Sequence, residues 1–190
     1  MRNRHLAAIA RRVRHFLILL QASRATRRRL GAAPIRRLLV VCYGNICRSA
    51  YLGMLAQQEI GTLIEVCSGG FHVVGGRETP QRHQALALQT GVDLSSHRSK
   101  TVTQLDLEWA DTIVLMDRYN WDRLRQMNAA PHKLVWLGAV TGESVEISDP
   151  YELDDETART VYRQLRRASD TLIELIRKRA ELSDANVSHQ

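Results

Sequence analysis

The stretch Leu38-Leu-Val-Val-Cys42-Tyr-Gly-Asn-Ile-Cys-Arg48-Ser49 decides the fold of this chain. Its first four residues are apolar and predict a buried strand, and residues 48–58 predict the helix that follows. A strand, a glycine-containing turn and a helix in this order direct backbone N–H groups and the positive end of the helix dipole at one point. The sequence therefore predicts an anion-binding loop at residues 42–49.

Outside this stretch, strand-like apolar runs alternate with helical segments. Such alternation is typical of a parallel sheet covered by helices on both faces. After the first strand at 38–41, the predicted strands are 63–67, 112–116 and 134–137, and the predicted helices are 48–58, 80–90, 117–127 and 155–182, the last capped by Asp154 or Asp155. We therefore predict a three-layer αβα fold of the α/β class, with a four-stranded parallel sheet and the anion-binding loop after strand 1.

Cys42 and Arg48 indicate what the loop does with an anion. A free thiol has a pKa of about 8.5, and helix N-termini and nearby cations lower such values to about 3.5–7.5. We therefore expect Cys42 to be a thiolate nucleophile. The guanidinium of Arg48 is a planar fork that binds two phosphate oxygens at once. Gly44 and Asn45 tolerate left-handed backbone conformations, which lets loop amides turn inwards, and the Ser49 hydroxyl is placed to donate to the Cys42 sulfur.

The spelling Cys-Tyr-Gly-Asn-Ile-Cys-Arg-Ser, directly after an apolar strand, resembles the active-site loop of low-molecular-weight protein tyrosine phosphatases. Residues 68–70 are similar to a Ser-Ala-Gly turn of that family, residues 97–100 to its His-x-Ala-Arg element, and residues 116–117 to the end of its third strand. Asp149-Pro150-Tyr151 stands where the family has an Asp-Pro-aromatic loop that carries the general acid. The resemblance covers residues 35–182.

The resemblance implies a metal-free and cofactor-free phosphatase that works through a cysteinyl-phosphate. Cys42, Arg48 and Asp149 are its expected catalytic residues. The expected phosphate-binding residues are Tyr43, Gly44, Asn45, Ile46, Cys47, Arg48 and Ser49. Ile46 is aliphatic, as in family members that favour phosphotyrosine, whereas members acting on phosphoarginine have threonine there. Phe71 and Tyr151 are candidates for the walls of a slot, because aromatic faces stack on a flat ring.

Two other functions remain open from the sequence. A thiol-dependent arsenate reductase has the same loop but needs two further cysteines on a neighbouring helical segment, and residues 77–102 contain none. A phosphoprotein-binding module without activity is disfavoured because Cys42, Arg48 and Asp149 are all present. Cys47 is interpreted either as a redox guard for Cys42, as in similar enzymes, or as a small packed residue. Cys67 is interpreted as a core residue.

The three cysteines also bear on location and metal binding. An odd, small number does not fit the disulfide framework of a secreted domain, so a reducing cytoplasm is expected. The spacing of Cys42 and Cys47, without a second Cys/His pair, does not predict a zinc site. The apolar run at residues 16–20, the candidate for a membrane span, is far shorter than the roughly 20 residues that a span needs.

The net charge of +7 is concentrated in the N-terminal part of the chain. Residues 1–37 contain eleven arginines and neither Asp nor Glu, so residues 38–190 carry −4. The basic charge therefore belongs to an appendage, and we predict no nucleic-acid partner.

Residues 4–20 predict a basic amphipathic helix, followed by a looser arginine-rich stretch at 21–29 and a linker at 31–34. The apolar stripe of this helix consists of Leu6, Ile9, Ala10, Val13, Phe16, Leu17 and Leu20. We expect an N-terminal extension of residues 1–34, a phosphatase domain of residues 35–183 and a tail of residues 184–190. Three roles stay open for residues 1–30: an anionic membrane surface as partner, which would make the protein peripheral at the membrane, a protein partner, or a simple disordered extension.

Overall fold

The structure, a computed structural model, describes residues 2–32 and 34–187 of the chain. The helices are α1 Arg2–Ala32, α2 Arg48–Ile60, α3 Gln81–Leu88, α4 Gln104–Trp109, α5 Arg118–Gln126 and α6 Asp155–Val187. The strands are β1 Arg37–Cys42, β2 Glu65–Gly70, β3 Thr112–Leu115 and β4 Leu134–Trp136. Two 3₁₀-helical turns, Pro131–Lys133 and Leu137–Val140, flank β4.

The four strands form one sheet in the order β2-β1-β3-β4, and all pairs are parallel. Strand β1 is central and pairs with both β2 and β3, and its last residue, Cys42, lies opposite Gly70. The carboxyl ends of parallel strands meet at one edge of a sheet, where such folds bind their ligands. The predicted four-stranded parallel sheet with the Cys42 loop after strand 1 is confirmed.

Two apolar cores cover the two faces of the sheet. Leu38 and Val40 of β1 face a core shared with α2, α3 and α6. Leu39 and Val41 face a second core shared with α4, α5 and the second half of α1. Because both faces are buried, the strand is a continuous apolar run, and the structure has the three layers predicted from that pattern.

Two elements differ from the sequence-based prediction. Strand β2 lies later than 63–67, because Gly69 and Gly70 pair in register with Val41 and Cys42 although they contribute no apolar side chains. The sequence analysis missed helix α4. This helix has only six residues and begins with a capping box, in which Thr103 and Asp106 satisfy each other's backbone N–H groups.

The N-terminal helix is also longer than predicted. Residues 21–29 and the first two residues of the predicted linker, 31 and 32, continue α1 as far as Ala32. Ala22, Thr26 and Leu30 are buried against the edge of the sheet. The Thr26 hydroxyl accepts a hydrogen bond from the backbone N–H of Trp136, at 3.0 Å. The second half of α1 therefore covers edge strand β4, whose free N–H groups would otherwise be exposed.

Arg29 fixes the end of α1 to the start of β3. Its Nη2 donates to the Thr112 hydroxyl at 2.5 Å and lies 3.4 Å from a carboxylate oxygen of Asp111. The other oxygen of Asp111 accepts the backbone N–H groups of Arg36 and Arg37. Asp111 therefore joins the end of the helix to the first residue of β1.

At the other end of the chain, Asp154 caps α6 as predicted, since its carboxylate accepts the N–H groups of Glu156 and Thr157. Helix α6 then continues through residues 184–187 of the predicted tail, and residues 188–190 lie outside the described part. The side chains of Leu6, Ile9 and Ala10 in the predicted stripe also lie outside it. No helix in the described ranges is both long and apolar enough to cross a membrane.

Candidate active site

The sulfur of Cys42 lies at the end of β1, where the loop before α2 begins. Its side chain is buried. The Sγ atom is 3.0 Å from the Ser49 hydroxyl and accepts the backbone N–H of Asn45 at 3.2 Å. One backbone N–H donor, one hydroxyl group and the N-terminus of α2 thus surround this sulfur.

Asn45 holds the loop in shape. Its φ of 52° is in the left-handed region, which asparagine adopts more readily than most residues. The Nδ2 group donates to Ser49 at 2.9 Å and to Ser68 at 3.0 Å, and Oδ1 accepts the backbone N–H of Lys100 at 2.8 Å. Its backbone carbonyl lies 2.8 Å from Nε2 of His97. Asn45 therefore links the loop to the turns after β2 and before α4.

The carbonyls of the loop are bound from outside. The carbonyl of Tyr43 accepts the N–H groups of Phe71 and His72, and Arg77 donates to the carbonyl of Gly44 at 2.6 Å. These bonds fix the orientation of the two loop carbonyls. Gly70 permits this contact, because a Cβ atom there would lie 2.8 Å from the loop backbone.

Arg48 is the most constrained charged residue of the site. Only 1% of its side chain is exposed. Nη1 donates to Asp117 at 2.5 Å and to the carbonyl of Ile147 at 3.1 Å, and Nη2 donates to Asp149 at 2.5 Å. Burial alone would lower the pKa of Arg48, but the negative charges of Cys42, Asp149 and Asp117 outweigh burial and raise it. The guanidinium is therefore a permanent cation beside the sulfur.

Asp149 lies at the entrance of the site, with 42% of its side chain exposed. One carboxylate oxygen binds Arg48, and the other accepts the backbone N–H of Tyr151 at 3.3 Å. The turn at Pro150 brings Leu153 N–H back to the Pro150 carbonyl. Asp149 is thus held over the guanidinium while it remains open to water, as a group that exchanges protons with a substrate must be.

Aromatic side chains surround the entrance. Tyr43 packs edge-to-face against Tyr119, with ring centroids 5.5 Å apart, and against His72 at 5.8 Å. Tyr119 also contacts Phe71, which is buried and has the guanidinium of Arg123 over its ring. Tyr43 and Tyr119 are therefore the exposed rings on this side, and Phe71 supports them from below.

Tyr151 lies on a different element of the site, the 149–151 turn. It is half exposed, and its ring stacks on that of His83. Among the described residues, no hydrogen bond or ring contact joins Tyr151 to Phe71, so their role as two walls of one slot stays a prediction.

The structure brings together Cys42, Arg48 and Asp149, although more than 100 residues of sequence separate Asp149 from the other two. Within the loop, the side chains of Ile46 and Cys47 are buried. Burial raises the pKa of the Cys47 thiol, so this cysteine is protonated at neutral pH. Whether Cys47 guards Cys42 against oxidation stays a prediction.

Sequence reasoning missed three contributors to this site. Asp117 was noted only as the end of strand 3, although its position at the carboxyl end of a strand next to β1 places it beside the loop. Tyr119 follows it by two residues in the first turn of α5. His83 lies within the predicted helix 80–90 and received no role from the sequence, and no sequence pattern indicates that it contacts the 149–151 turn.

Comparison with known proteins agrees with this geometry. The sequence profile of the low molecular weight phosphotyrosine protein phosphatases matches residues 37–182. The chain belongs to this family. It is therefore a low-molecular-weight protein tyrosine phosphatase, and the first and last residues of the site, Cys42 and Asp149, both lie inside the match.

Individual relatives cover the same part of this phosphatase. A probable phosphatase of the family, EpsP of Ralstonia nicotianae, is 28% identical over 144 residues, which are 75% of this chain and 97% of that protein. The crystal structure of the tyrosine phosphatase Wzb from Escherichia coli K30 in complex with sulphate is 26% identical, with a TM-score of 0.68 over 74% of this chain and 97% of that one. A protein-arginine-phosphatase of Geobacillus stearothermophilus is 26% identical over 76% of this chain and 96% of its own.

Proposed function

We propose that this phosphatase hydrolyses phosphotyrosine in proteins through a cysteinyl-phosphate, with Cys42 as nucleophile, Arg48 as phosphate ligand and Asp149 as general acid. The observation that carries this proposal is the position of the Arg48 guanidinium. It lies in the same loop as the buried sulfur and donates directly to Asp149. One cation thus joins the group that attacks the phosphorus to the group that serves the leaving oxygen.

In the first step the Cys42 thiolate forms an S–P bond while the P–O bond to the tyrosine oxygen breaks. When the phosphate binds Arg48 in place of the Asp149 carboxylate, Asp149 acts in its protonated form and gives its proton to that oxygen. The loop N–H groups and Arg48 bind the equatorial oxygens, where negative charge accumulates. Positioning and electrostatics therefore supply most of the rate enhancement.

In the second step a water molecule forms a new P–O bond, and the S–P bond breaks. Asp149, now ionised, takes a proton from that water. The Ser49 hydroxyl, 3.0 Å from the sulfur, donates to the returning thiolate and makes it a better leaving group. Inorganic phosphate then leaves, and Arg48 pairs again with Asp149.

Phosphotyrosine fits the entrance better than phosphoarginine does. Ile46 is aliphatic, and the exposed rings of Tyr43 and Tyr119 offer faces and edges to an aromatic substrate. Because one relative is named a protein-arginine-phosphatase, hydrolysis of phosphotyrosine and of phosphoarginine should be compared directly. The test compares kcat/KM for phosphotyrosine, phosphoserine and phosphoarginine peptides in one phosphate-release assay. We expect kcat/KM to be highest for the phosphotyrosine peptide. A preference for phosphoarginine would overturn this assignment.

An arsenate reductase is the alternative in the same fold. It would need a relay of thiols beyond Cys42 and Cys47. Cys67 does not supply one, because its side chain packs against the core on the opposite face of the sheet from α2, with its sulfur 3.7 Å from Lys100 Nζ. Arsenate-dependent oxidation of a thioredoxin would support the alternative. We expect none.

Location and partners belong to the same proposal. We infer that the chain works in the cytoplasm on phosphoproteins and that residues 1–30 dock on a further partner. The exposed side chains of α1 favour an anionic membrane surface over a protein.

A further inference from the structure

Helix α1 has two halves with different surroundings. The second half packs along β4 and the 3₁₀-helical turn after it. Arg29 contacts Thr112 at the start of β3, and Thr26 contacts Trp136 at the end of β4, so the helix runs antiparallel to the strands. Its first half, residues 2–18, therefore extends towards the edge of the sheet that carries the active site. At 1.5 Å per residue this half is about 25 Å long.

Among the side chains of α1 that the structure describes, four large apolar ones are exposed to solvent. The exposed fractions are 52% for Val13, 60% for Phe16, 51% for Leu17 and 42% for Leu20. At 100° per residue these four side chains lie within one stripe about 100° wide. The buried residues Ala22 and Thr26 lie on another side of the helix, so the stripe is not used by the fold.

The same stripe becomes cationic towards the end of the helix. Arg24, Arg27 and Arg28 continue it and are exposed. Residues 1–37 contain eleven arginines and no acidic residue, and residues 1–36 precede the part that matches the family. The surface is therefore an addition to the shared catalytic fold, and its only formal charges are positive.

We propose that α1 docks this phosphatase on an anionic membrane surface, with the stripe of Val13, Phe16, Leu17 and Leu20 at the acyl boundary and the arginines among the headgroups. An apolar stripe flanked by arginines is the pattern of helices that lie in the membrane interface. A second copy of the chain is a poor occupant, because the arginines of both copies would face each other. A protein partner would have to be strongly acidic along the whole helix.

The direction of α1 gives the docking a consequence for substrates, which rests on the proposed function. The stripe extends from the edge of the sheet where Cys42 and Asp149 lie. A docked enzyme therefore holds its entrance close to the bilayer. Phosphotyrosines in segments next to a membrane are the substrates that this arrangement serves.

The test uses the full chain and sedimentation with vesicles of phosphatidylcholine alone or with about one third phosphatidylglycerol. We expect binding to the anionic vesicles only. The double variant Phe16→Asp/Leu17→Asp should lose it, whereas Leu63→Asp/Leu105→Asp, with the same charge change on two exposed leucines outside α1, should not. Hydrolysis of a soluble aryl phosphate should be unchanged in both variants, which separates this proposal from the proposed function.

A second arm tests the charge. Replacing Arg24, Arg27 and Arg28 together with Gln should weaken binding to the anionic vesicles about a hundredfold, at about fivefold per arginine, and salt should weaken the unaltered chain similarly. Equal sedimentation with neutral and anionic vesicles, or unimpaired binding of Phe16→Asp/Leu17→Asp, would overturn the proposal. The proposal would also be overturned if the unaltered chain does not bind vesicles but forms a dimer in light scattering, and if Phe16→Asp/Leu17→Asp abolishes that dimer.

A second inference comes from contacts of the 149–151 turn. His83, in α3, is buried, and its ring stacks on Tyr151 with an interplanar angle of 12°. Its Nε2 lies 3.2 Å from the Tyr151 carbonyl, and its Nδ1 lies 3.4 Å from the hydroxyl of Tyr162. A carbonyl only accepts, so Nε2 carries the proton and Nδ1 accepts from Tyr162.

These contacts continue to the proposed general acid. Tyr151 receives the hydrogen bond from His83 at its carbonyl and donates its own N–H to Asp149 at 3.3 Å. The geometry points to His83 as a positioning residue, which holds Tyr151 so that the Asp149 carboxyl stays over Arg48. Burial lowers the pKa of His83 and favours the neutral tautomer that these bonds need. This inference also rests on the proposed function.

The matched variants are His83→Phe, which keeps a flat ring but no donor, and His83→Gln, whose amide can still donate to Tyr151. Phenyl phosphate has a poor leaving group and needs an acid, whereas 2,4-dinitrophenyl phosphate does not. We expect His83→Phe to lower kcat/KM about tenfold more for phenyl phosphate than for 2,4-dinitrophenyl phosphate. His83→Gln should retain most of the kcat/KM of the unaltered chain for phenyl phosphate.

Equal losses on both substrates would mean that His83 is merely structural and would overturn this second inference. Asp149→Ala in the same assay distinguishes the two levels. If Asp149→Ala also lowers kcat/KM equally for both substrates, the proposed general acid is wrong. If Asp149→Ala lowers it mainly for phenyl phosphate but His83→Phe lowers it equally for both, only the positioning role of His83 is wrong.

Discussion

Arg48 donates to Asp149 at 2.5 Å across 101 residues of sequence. The cation that is proposed to bind the phosphate is thus already paired with the carboxylate that is proposed to protonate the leaving group. In the proposed mechanism a phosphate dianion takes the place of the Asp149 carboxylate at Nη2, so that substrate binding also releases this carboxyl group for the leaving oxygen.

The first prediction concerns the acid itself. Asp149→Ala should lower kcat/KM for phenyl phosphate by about 10²–10⁴, because the leaving oxygen must then depart as an anion. For 2,4-dinitrophenyl phosphate the loss should be small, and steady-state kinetics on both substrates measures the difference. Inhibition by inorganic phosphate should persist, since the loop and Arg48 remain, and loss of that inhibition would show that the variant had damaged the loop.

A second prediction concerns the other partner of Arg48. Asp117 binds Nη1 and also caps α5 through the N–H of Asn120. Asp117→Ala should lower the free energy of unfolding by about 2–3 kcal/mol, because a buried cation loses one of its two carboxylates and a helix loses its cap. Denaturant titration measures this. Asp122→Ala, which removes an exposed carboxylate from the same helix, should cost under about 1 kcal/mol, and an equal cost for both would contradict the account.

A third prediction tests whether α1 is part of the fold. Thr26→Val keeps the volume of the buried side chain but leaves the N–H of Trp136 without its acceptor. The free energy of unfolding should fall by about 1–3 kcal/mol. Thr160→Val, on the exposed face of α6, should change it by less than about 0.5 kcal/mol. A neutral effect of Thr26→Val would mean that α1 does not cover β4.

A fourth prediction concerns pH. Burial lowers the pKa of both His83 and His97 below the ordinary value of 6.5. A lowered pKa means that the folded state favours the neutral ring, so these residues contribute full stability above pH 6.5 and lose it as the pH falls below that value. Denaturant titrations at pH 7.5 and pH about 5.5 should show a smaller loss of stability in His97→Gln than in the unaltered chain. An identical loss would exclude His97 as a source of the pH dependence.

The sequence predicted the parts of this structure that depend on short, contiguous sequence patterns. The apolar run at 38–41, the loop of residues 42–49 and the turn at Asp149 each carry their own pattern, and the parallel sheet places their ends at one edge. The four strands and the larger helices followed from periodicity. Their bounds differ where pairing rather than hydrophobicity decides them, as in Gly69 and Gly70.

Other features depend on contacts that no local pattern encodes. The buried face of α1 includes the small side chains of Ala22 and Thr26 and lies among many arginines, so no apolar periodicity predicted that residues 21–29 continue the helix. Asp117 contacts Arg48 and His83 contacts Tyr151 across 69 and 68 residues of sequence, and only the folded chain brings these pairs together.

The central claim is a covalent bond between phosphate and the sulfur of Cys42. In a rapid acid quench of the enzyme with a phosphotyrosine peptide, mass spectrometry should find phosphate on the proteolytic peptide that contains Cys42, and Cys42→Ser should abolish turnover. Full turnover by Cys42→Ser, or phosphate trapped on any other residue, would contradict the account.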